Sequence, residues 1–511
     1  MVGSDSIRKI AAKVGASHDL SEASQLRGVD GGTNLVEAFA RVLACRSVWR
    51  CDPRSCRAVK RPKMKYMGSW AELEIGGVLF DTWKVTDGGI DPSIMVLFSE
   101  SDKRYKQYPI SLEAEKVLEE GEDWPFYQVQ YFTTVQTLKK RLDFFGFTLD
   151  VCKRAFEIAK VQEIDNLRRS IKETDRLNLP EDSRKKRTLE LLSITDADAW
   201  IEALREAFRS PRDGLADEIR TLADYFQPLV HFVWNRFPAS LDPRFRLRFE
   251  LEAALGDDVM LDVSEFVNNE YYTISVPMTK VAFDNLPAYE RERCRHIVLT
   301  EGSTDKFYLE TGFKLFHPEL NDYVSFLDFS GWNIPGGASF LESMVRSFVA
   351  AGIRDRIVAV FDNDTAGFAS HGRLGKLTLP SNVRVIRYPD INLARSYPTL
   401  GPSGTVMMDV NGLAASIELY LGEDVIRDQA GSFIPIQWKS FDQSLKRYQG
   451  EIIDKRGCWR RFNEKLERAG NNLRNHDGPE WRDLLLVTDA IRTAFIVADA
   501  EELIELAESA V

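Results

Sequence analysis

The stretch HIVLTEGSTDKFYLE, His296 to Glu310, decides the fold. Apolar and β-branched residues run into a Glu-Gly pair, and Asp305 follows four positions after Glu301. A short apolar run stopped by a turn signal and followed by an amphipathic stretch reads as strand, turn and helix. The same grammar continues through YVSFLDFSG, ASFLESMVRSFVAAGI, RIVAVFD, TAGFASHGRLGKL and NVRVIRYPD. Such alternation predicts βαβ units, an α/β fold with a parallel sheet flanked by helices.

In an open parallel sheet the carboxyl ends of the strands form the natural ligand edge. Glu301 stands there after the first strand, and Asp362 and Asp364 of RIVAVFDNDTAGF stand there after the third. Being alternate residues, the two aspartates can face one side, while Gly302 and Gly367 allow tight backbone turns. Asp305, one helical turn past Glu301, points back to the same edge. Carboxylates that converge without a cation repel one another. Oxygen-only ligation suits Mg²⁺ or Mn²⁺, ions that usually serve phosphate chemistry. Alone, E-G-x-x-D is an everyday helix boundary and D-N-D an ordinary turn. Each following a buried strand of one array, they read together as a metal-holding rim.

Outward from this core the chain changes character. Residues 1–66 hold 13 Lys or Arg against 6 Asp or Glu, a net of +7 in a chain whose total is −11. They read as a basic nucleic-acid arm or as a poorly ordered extension; the second is preferred, because basic arms are usually longer and denser in charge. Met64 and Met67 precede the first folded pattern, so an upstream start would account for the extension. Residues 67–134, with ELEIGGVLF, IMVLFSE and FYQVQYFTTV, are expected to form a small β-rich portion with a Gly-Gly hairpin. Residues 135–289 show helical stripes, beginning Val135, Leu138, Leu142, Phe145 and Leu149, and are expected to form a helical bundle. Within it, the run Arg184 to Arg187 reads as a solvated polar connection. Residues 290–425 hold the parallel sheet, and residues 426–511 are expected to be helical.

Composition narrows the function. Six cysteines without a C-x-x-C pair argue against a zinc module or a disulfide framework. No run of 18 apolar residues and no signal-peptide core is visible, so a cytoplasmic protein without membrane contact is expected. With a net charge of −11, any nucleic acid must be met locally. YQGEIIDKRGCWRRF offers such a place: Arg456, Arg460 and Arg461 surround Trp459, and basic residues interleaved with an aromatic suit phosphate pairing and base stacking. An exposed amphipathic helix start would look the same.

Residues 290–425 resemble the Toprim domain, a Rossmann-like parallel sheet, on TEGSTD and FDNDTAG. That resemblance implies Glu301 as general acid/base or metal ligand and Asp362 and Asp364 as metal ligands. Similarity to the overcoming-lysogenisation-defect (OLD) nucleases extends to Asp305 and to Ser416-Ile417-Glu418, which adds Glu418 and implies a second ion, and to Lys455 as a catalytic cation. Residues 67–250 resemble the N-terminal module of bacterial HEPN/Toprim proteins, on MGSWAELEIGG followed by helices. Catalytic HEPN domains use an R-x4–6-H pair. Here Arg220 lies too far before His231, and Arg291 to His296 leads into the first sheet strand, so the helical part is expected to be a scaffold or homo-oligomerisation module.

The resemblance thus implies a two-metal endonuclease or nickase acting on DNA, with RNA as an alternative, in antiphage or antiplasmid defence. A degenerate Toprim adaptor remains a competing reading, and a primase or topoisomerase a weaker one. No G-x-x-x-x-G-K-[ST] loop is present, so ATP control would come from a separate partner.

Overall fold

The computed structural model describes residues 69–85, 89–108, 126–177, 183–194, 196–209, 242–329, 336–402, 404–470 and 478–509. The basic residues 1–66 and the pair Arg220 and His231 lie outside the described residues. The described residues fall into two compact units, one within Met1–Val135 and Ala254–Phe283, the other within Gln136–Ala253 and Asp284–Val511.

The first unit is an antiparallel sheet. Trp70–Ile75 (β1) and Val78–Lys84 (β2) make the expected hairpin, turned at Gly76 and Gly77 with φ of 58° and 77°. Two consecutive left-handed residues are tolerated there because neither has a Cβ. Lys103–Tyr108 (β3), Phe126–Thr134 (β4) and Asp258–Asp262 (β5) complete the order β2-β1-β5-β4-β3. The central strand is therefore β5, from a segment assigned by sequence to the helical module of residues 135–289. An apolar run as short as five residues does not reveal its type, and the partners of β5 are far away in sequence. IMVLFSE departs too: Asp91 accepts a hydrogen bond from Ser93 N (2.8 Å) and Pro92 opens a one-turn helix, Pro92–Met95. An N-cap followed by proline outweighs the strand-like run.

The second unit opens with helices Val135–Phe144 (α1), Leu149–Arg176 (α2), Ser183–Ile194 (α3), Ala197–Arg209 (α4) and Pro243–Ala253 (α5). The stripe from Val135 to Leu149 is divided between α1 and α2, and Thr148 caps α2 by accepting from Val151 N (3.4 Å). Phe156 of α2 packs on Trp200 of α4 (6.2 Å) and Phe249 of α5 (5.7 Å), which makes the expected helical core. The run Arg184 to Arg187 does not form a connection; it lies in the first turns of α3, as good helix formers can.

After Ala288–Cys294 (α6) the βαβ array follows: His296–Thr300 (β6), Ser303–Phe316 (α7), Val324–Phe326 (β7), Ala338–Ala350 (α8), Arg356–Phe361 (β8), Asn363–Asp364 (β9), Thr365–Leu374 (α9) and Val383–Arg387 (β10). The sheet is wholly parallel, in the order β10-β8-β6-β7. Leu299, Leu341, Val345, Ile357, Ala359 and Phe361 form the core between sheet and helices. Beyond it, Tyr397–Gly401 (β11), Gly404–Met408 (β12), Ile436–Asp442 (β14) and Arg447–Ile452 (β15) build a second sheet, and Ala414–Ala415 (β13) pairs with β9. Helices Lys455–Ala469 (α10), Arg482–Thr493 (α11) and Ile496–Ser509 (α12) end the unit.

The structure departs from the expected C-terminal region in two respects. Residues 426–511 are not helical throughout, because β14 and β15 form a hairpin, and the second sheet runs across the boundary at residue 425. A register shift between Trp438 and Ser440 breaks the alternation that would have announced β14. Among the described residues no helix is long and apolar enough to cross a membrane.

Candidate functional site: an acidic rim at the carboxyl edge of the parallel sheet

Register brings the first two acids together. Thr300 of β6 lies beside Val360 of β8, so both strands end at the same level and release Glu301 and Asp362 side by side. Asp362 N donates to Glu301 Oε1 (3.0 Å). Asp305, in the first turn of α7, folds back so that its Oδ2 lies over Gly302, 3.3 Å from where a Cβ would stand. Helix α9 approaches just as closely on the other side. A Cβ on Gly367 would stand 2.2 Å from the Asp362 carbonyl oxygen, so only glycine lets the helix start there.

Asp364 faces the same acids and caps α9. Its Oδ1 accepts from Gly367 N (2.7 Å) and its Oδ2 from Gln449 Nε2 (2.5 Å). The residue between the aspartates turns away: Asn363 accepts from Gly412 N (2.9 Å) and donates to Asp390 (3.0 Å). This alternation is the one the D-x-D spacing predicts.

The more distant candidates arrive through the pairing of β9 with β13. Ala414 lies opposite Asp364 and Ala415 opposite Asn363, so the chain enters Ser416-Ile417-Glu418 next to the D-x-D element. Ser416 Oγ then donates to the buried Glu418 (2.6 Å). Hairpin β14–β15 delivers Gln449 and Glu451, and α10, capped by Asp454, begins at Lys455. Lys455 Nζ stands 4.0 Å from Glu418 Oε1 and 3.6 Å from Glu451 Oε2.

The electrostatics are those of crowded like charges. Burial, then the Asp364 charge, pushes Glu301 up to about 8, against the Asp362 N–H that favours its ionised form. Burial, then Glu418, pushes Asp305 up to about 7. Asp362 is driven well above the carboxylate range by burial and then by Asp305, Glu301, Asp364 and Glu418. Burial disfavours the Lys455 ammonium, yet Glu418, Glu451, Asp362 and Asp305 outweigh it and hold that group above its usual range. Among the described residues no three His, Cys, Asp or Glu side chains already form a ligand set for one ion. Asp362 Oδ1 nevertheless lies enclosed with no hydrogen-bond partner. Ionised, that oxygen is acceptor-only and suited to a cation, and the carboxylates around it offer oxygen ligands.

The candidate nucleic-acid residues separate. Trp459 and Arg460 are exposed and, with Arg456, Asp454 and Gly457, line an open cleft of about 440 Å³. Arg461 does not join them. Its Nε donates to the Val425 carbonyl (2.6 Å) and the side chain is turned inward, because helical spacing puts it with Cys458 and Phe462 rather than with Trp459. His296 is enclosed in the sheet's lower end, 4.2 Å from the Phe144 ring and 5.0 Å from Phe495. Gln449 is the site residue that the sequence did not suggest, since nothing local marks a glutamine in a strand 85 residues beyond its partner.

The fold and site define a mixed α/β protein whose parallel sheet ends in a rim of acids completed by a C-terminal hairpin. Residues 67–291 match the family described as HEPN/Toprim N-terminal domain 1, which supports an N-terminal domain of that type. No curated protein and no solved structure matches the chain.

Proposed function

We propose that the protein is a metal-dependent Toprim endonuclease or nickase that hydrolyses phosphodiesters, with DNA as substrate and defence against invading DNA as its setting. The carrying observation is the enclosed, partnerless Asp362 Oδ1 among Glu301, Asp305, Asp364 and Glu418. The match of residues 67–291 to an N-terminal domain named for its association with Toprim adds support.

Glu301, Asp362 and Asp364 would hold one divalent ion, Mg²⁺ or Mn²⁺, and Asp305 and Glu418 a second. Bound there, such ions would supply positive charge for the phosphoryl group and for the attacking and leaving oxygens. Glu301, fixed by the Asp362 N–H at the head of the rim, is placed to serve as a metal ligand or as a general acid/base. The Lys455 ammonium, held charged by its carboxylate neighbours, opposes the negative charge that develops at phosphorus. Arg456 and Arg460 pair with backbone phosphates while Trp459 stacks on a base.

The test is plasmid nicking with Mg²⁺, Mn²⁺ or Ca²⁺, alongside single-stranded RNA. The parent should cut only with a divalent ion, and Glu301→Ala and Asp362→Ala should not cut. Variants that cut like the parent would overturn the site. A parent that binds Mn²⁺ and DNA yet never cuts would be a regulatory adaptor.

A further inference from the structure

One buried side chain beside the acidic rim has no role in the reading above. Tyr308, on α7 three residues after Asp305 and so on the same helix face, is completely buried. Its ring meets Phe462 of α10 edge-on, with centroids 5.1 Å apart and planes at 90°. Its hydroxyl has no hydrogen-bond partner among the described residues, although an enclosed hydroxyl is normally paired. The fold could have placed a phenylalanine here, as at the neighbouring Phe307 and Phe462.

Asp305 lies one turn earlier on the same face of α7, and Glu418 is the carboxylate whose charge is felt most strongly at that hydroxyl. Glu418 has one oxygen engaged, Oε2, by Ser416 Oγ; its Oε1 stands 4.0 Å from Lys455, beyond hydrogen-bond reach. Burial first, and then these negative neighbours, hold the phenol above the usual tyrosine range, so it keeps its proton as a donor. A partnerless donor is therefore enclosed one helical turn from Asp305 and within the field of Glu418, whose Oε1 stands apart from the Ser416 hydrogen bond.

We propose that Tyr308 is a positioning residue of the cation site, a donor to the Glu418 carboxylate that fixes Glu418 and Asp305 when a divalent ion draws them together. This rests on the metal-site reading above. A hydroxyl of this kind orients a ligand without touching the ion, and the loss of such partners typically weakens metal binding by about 10–100-fold.

The experiment compares full-length parent, Tyr308→Phe, Glu418→Gln and the double variant by Mn²⁺ calorimetry at pH 8 and by thermal unfolding without metal. Tyr308→Phe should unfold at the parent temperature or above it, because only an unpaired hydroxyl is lost, yet bind Mn²⁺ about 10-fold or more weakly. In the Glu418→Gln background it should cost little more, since the two residues act as a pair. Unchanged Mn²⁺ affinity overturns the proposal. So does a clear drop in metal-free unfolding temperature, which would mean that the hydroxyl serves the fold. A parent that binds no Mn²⁺ overturns the metal-site reading itself, and is distinguished by failing before any variant is compared.

Discussion

Strands β6 and β8 begin at His296 and Arg356 and release Glu301 and Asp362 at their other ends, so one pair of strands presents buried ionisable groups at both edges of the sheet. At the lower edge opposite charges are matched. Arg356 binds Asp499 of α12 through both guanidinium nitrogens, one at 2.6 Å, and Arg293 approaches the same carboxylate at 3.4 Å. Phe495 covers the Arg356 guanidinium (4.6 Å). His296, held neutral by burial and then by Arg356, fills the remaining space. At the upper edge like charges are gathered and one carboxylate oxygen has no partner. The lower edge is built as a structural lock that fastens the C-terminal helix to the sheet. The upper edge gathers like charges whose repulsion is relieved by protons taken up there or by a cation bound among them.

Substitutions at the two edges should therefore have opposite signatures. At the upper edge, Glu301→Ala or Asp362→Ala should cut metal-dependent nicking by about 10²–10³-fold or more, read as the initial rate of supercoil loss. Metal-free unfolding should occur at the same or a higher temperature. At the lower edge, Arg356→Ala leaves Asp499 buried with Arg293 at 3.4 Å as its remaining ion-pair partner among the described residues. Denaturant unfolding should show a loss in the lower part of the about 3–5 kcal/mol range for a broken buried pair. The Mn²⁺ affinity of the remaining folded protein should hardly change. A smaller effect is expected outside both edges: Trp459→Ala should weaken single-strand binding by about 1–3 kcal/mol in a fluorescence titration and leave stability unaltered.

The smallest effect is a pH dependence. Glu301 and Asp305 bind protons more tightly folded, at about 8 and about 7, than they do unfolded. Their contribution to stability is complete below the ordinary carboxylate range and is lost as pH rises through 7 and 8. Glu301→Gln, which cannot ionise, should match the parent near pH 5 and unfold about 2–4 °C above it near pH 8.5 in metal-free buffer.

Much of the upper edge was legible in the sequence because its signals are local. Glu301 and Asp362 each end a buried apolar run, and Asp305 and Asp364 follow at helical or strand spacing. What escaped depends on distant partners. The strand β5 reads as part of the helical module until β1 and β4 are beside it, and β14 is disguised by a bulge and by its polar residues. Gln449 acquires meaning only through Asp364, and Tyr308 reads as ordinary core until its hydroxyl is found without a partner. Charge density along YQGEIIDKRGCWRRF does not reveal the helix phase that turns Arg461 toward Val425.

The central claim is that the rim of acids is strained until a divalent cation enters. Thermal unfolding of the parent and of Asp362→Asn at pH 8, with and without Mn²⁺, tests it most directly. The account predicts that Asp362→Asn unfolds at a higher temperature than the parent in metal-free buffer, and that Mn²⁺ raises the parent markedly and the variant little. A variant no more stable than the parent, combined with a parent indifferent to Mn²⁺, would contradict it.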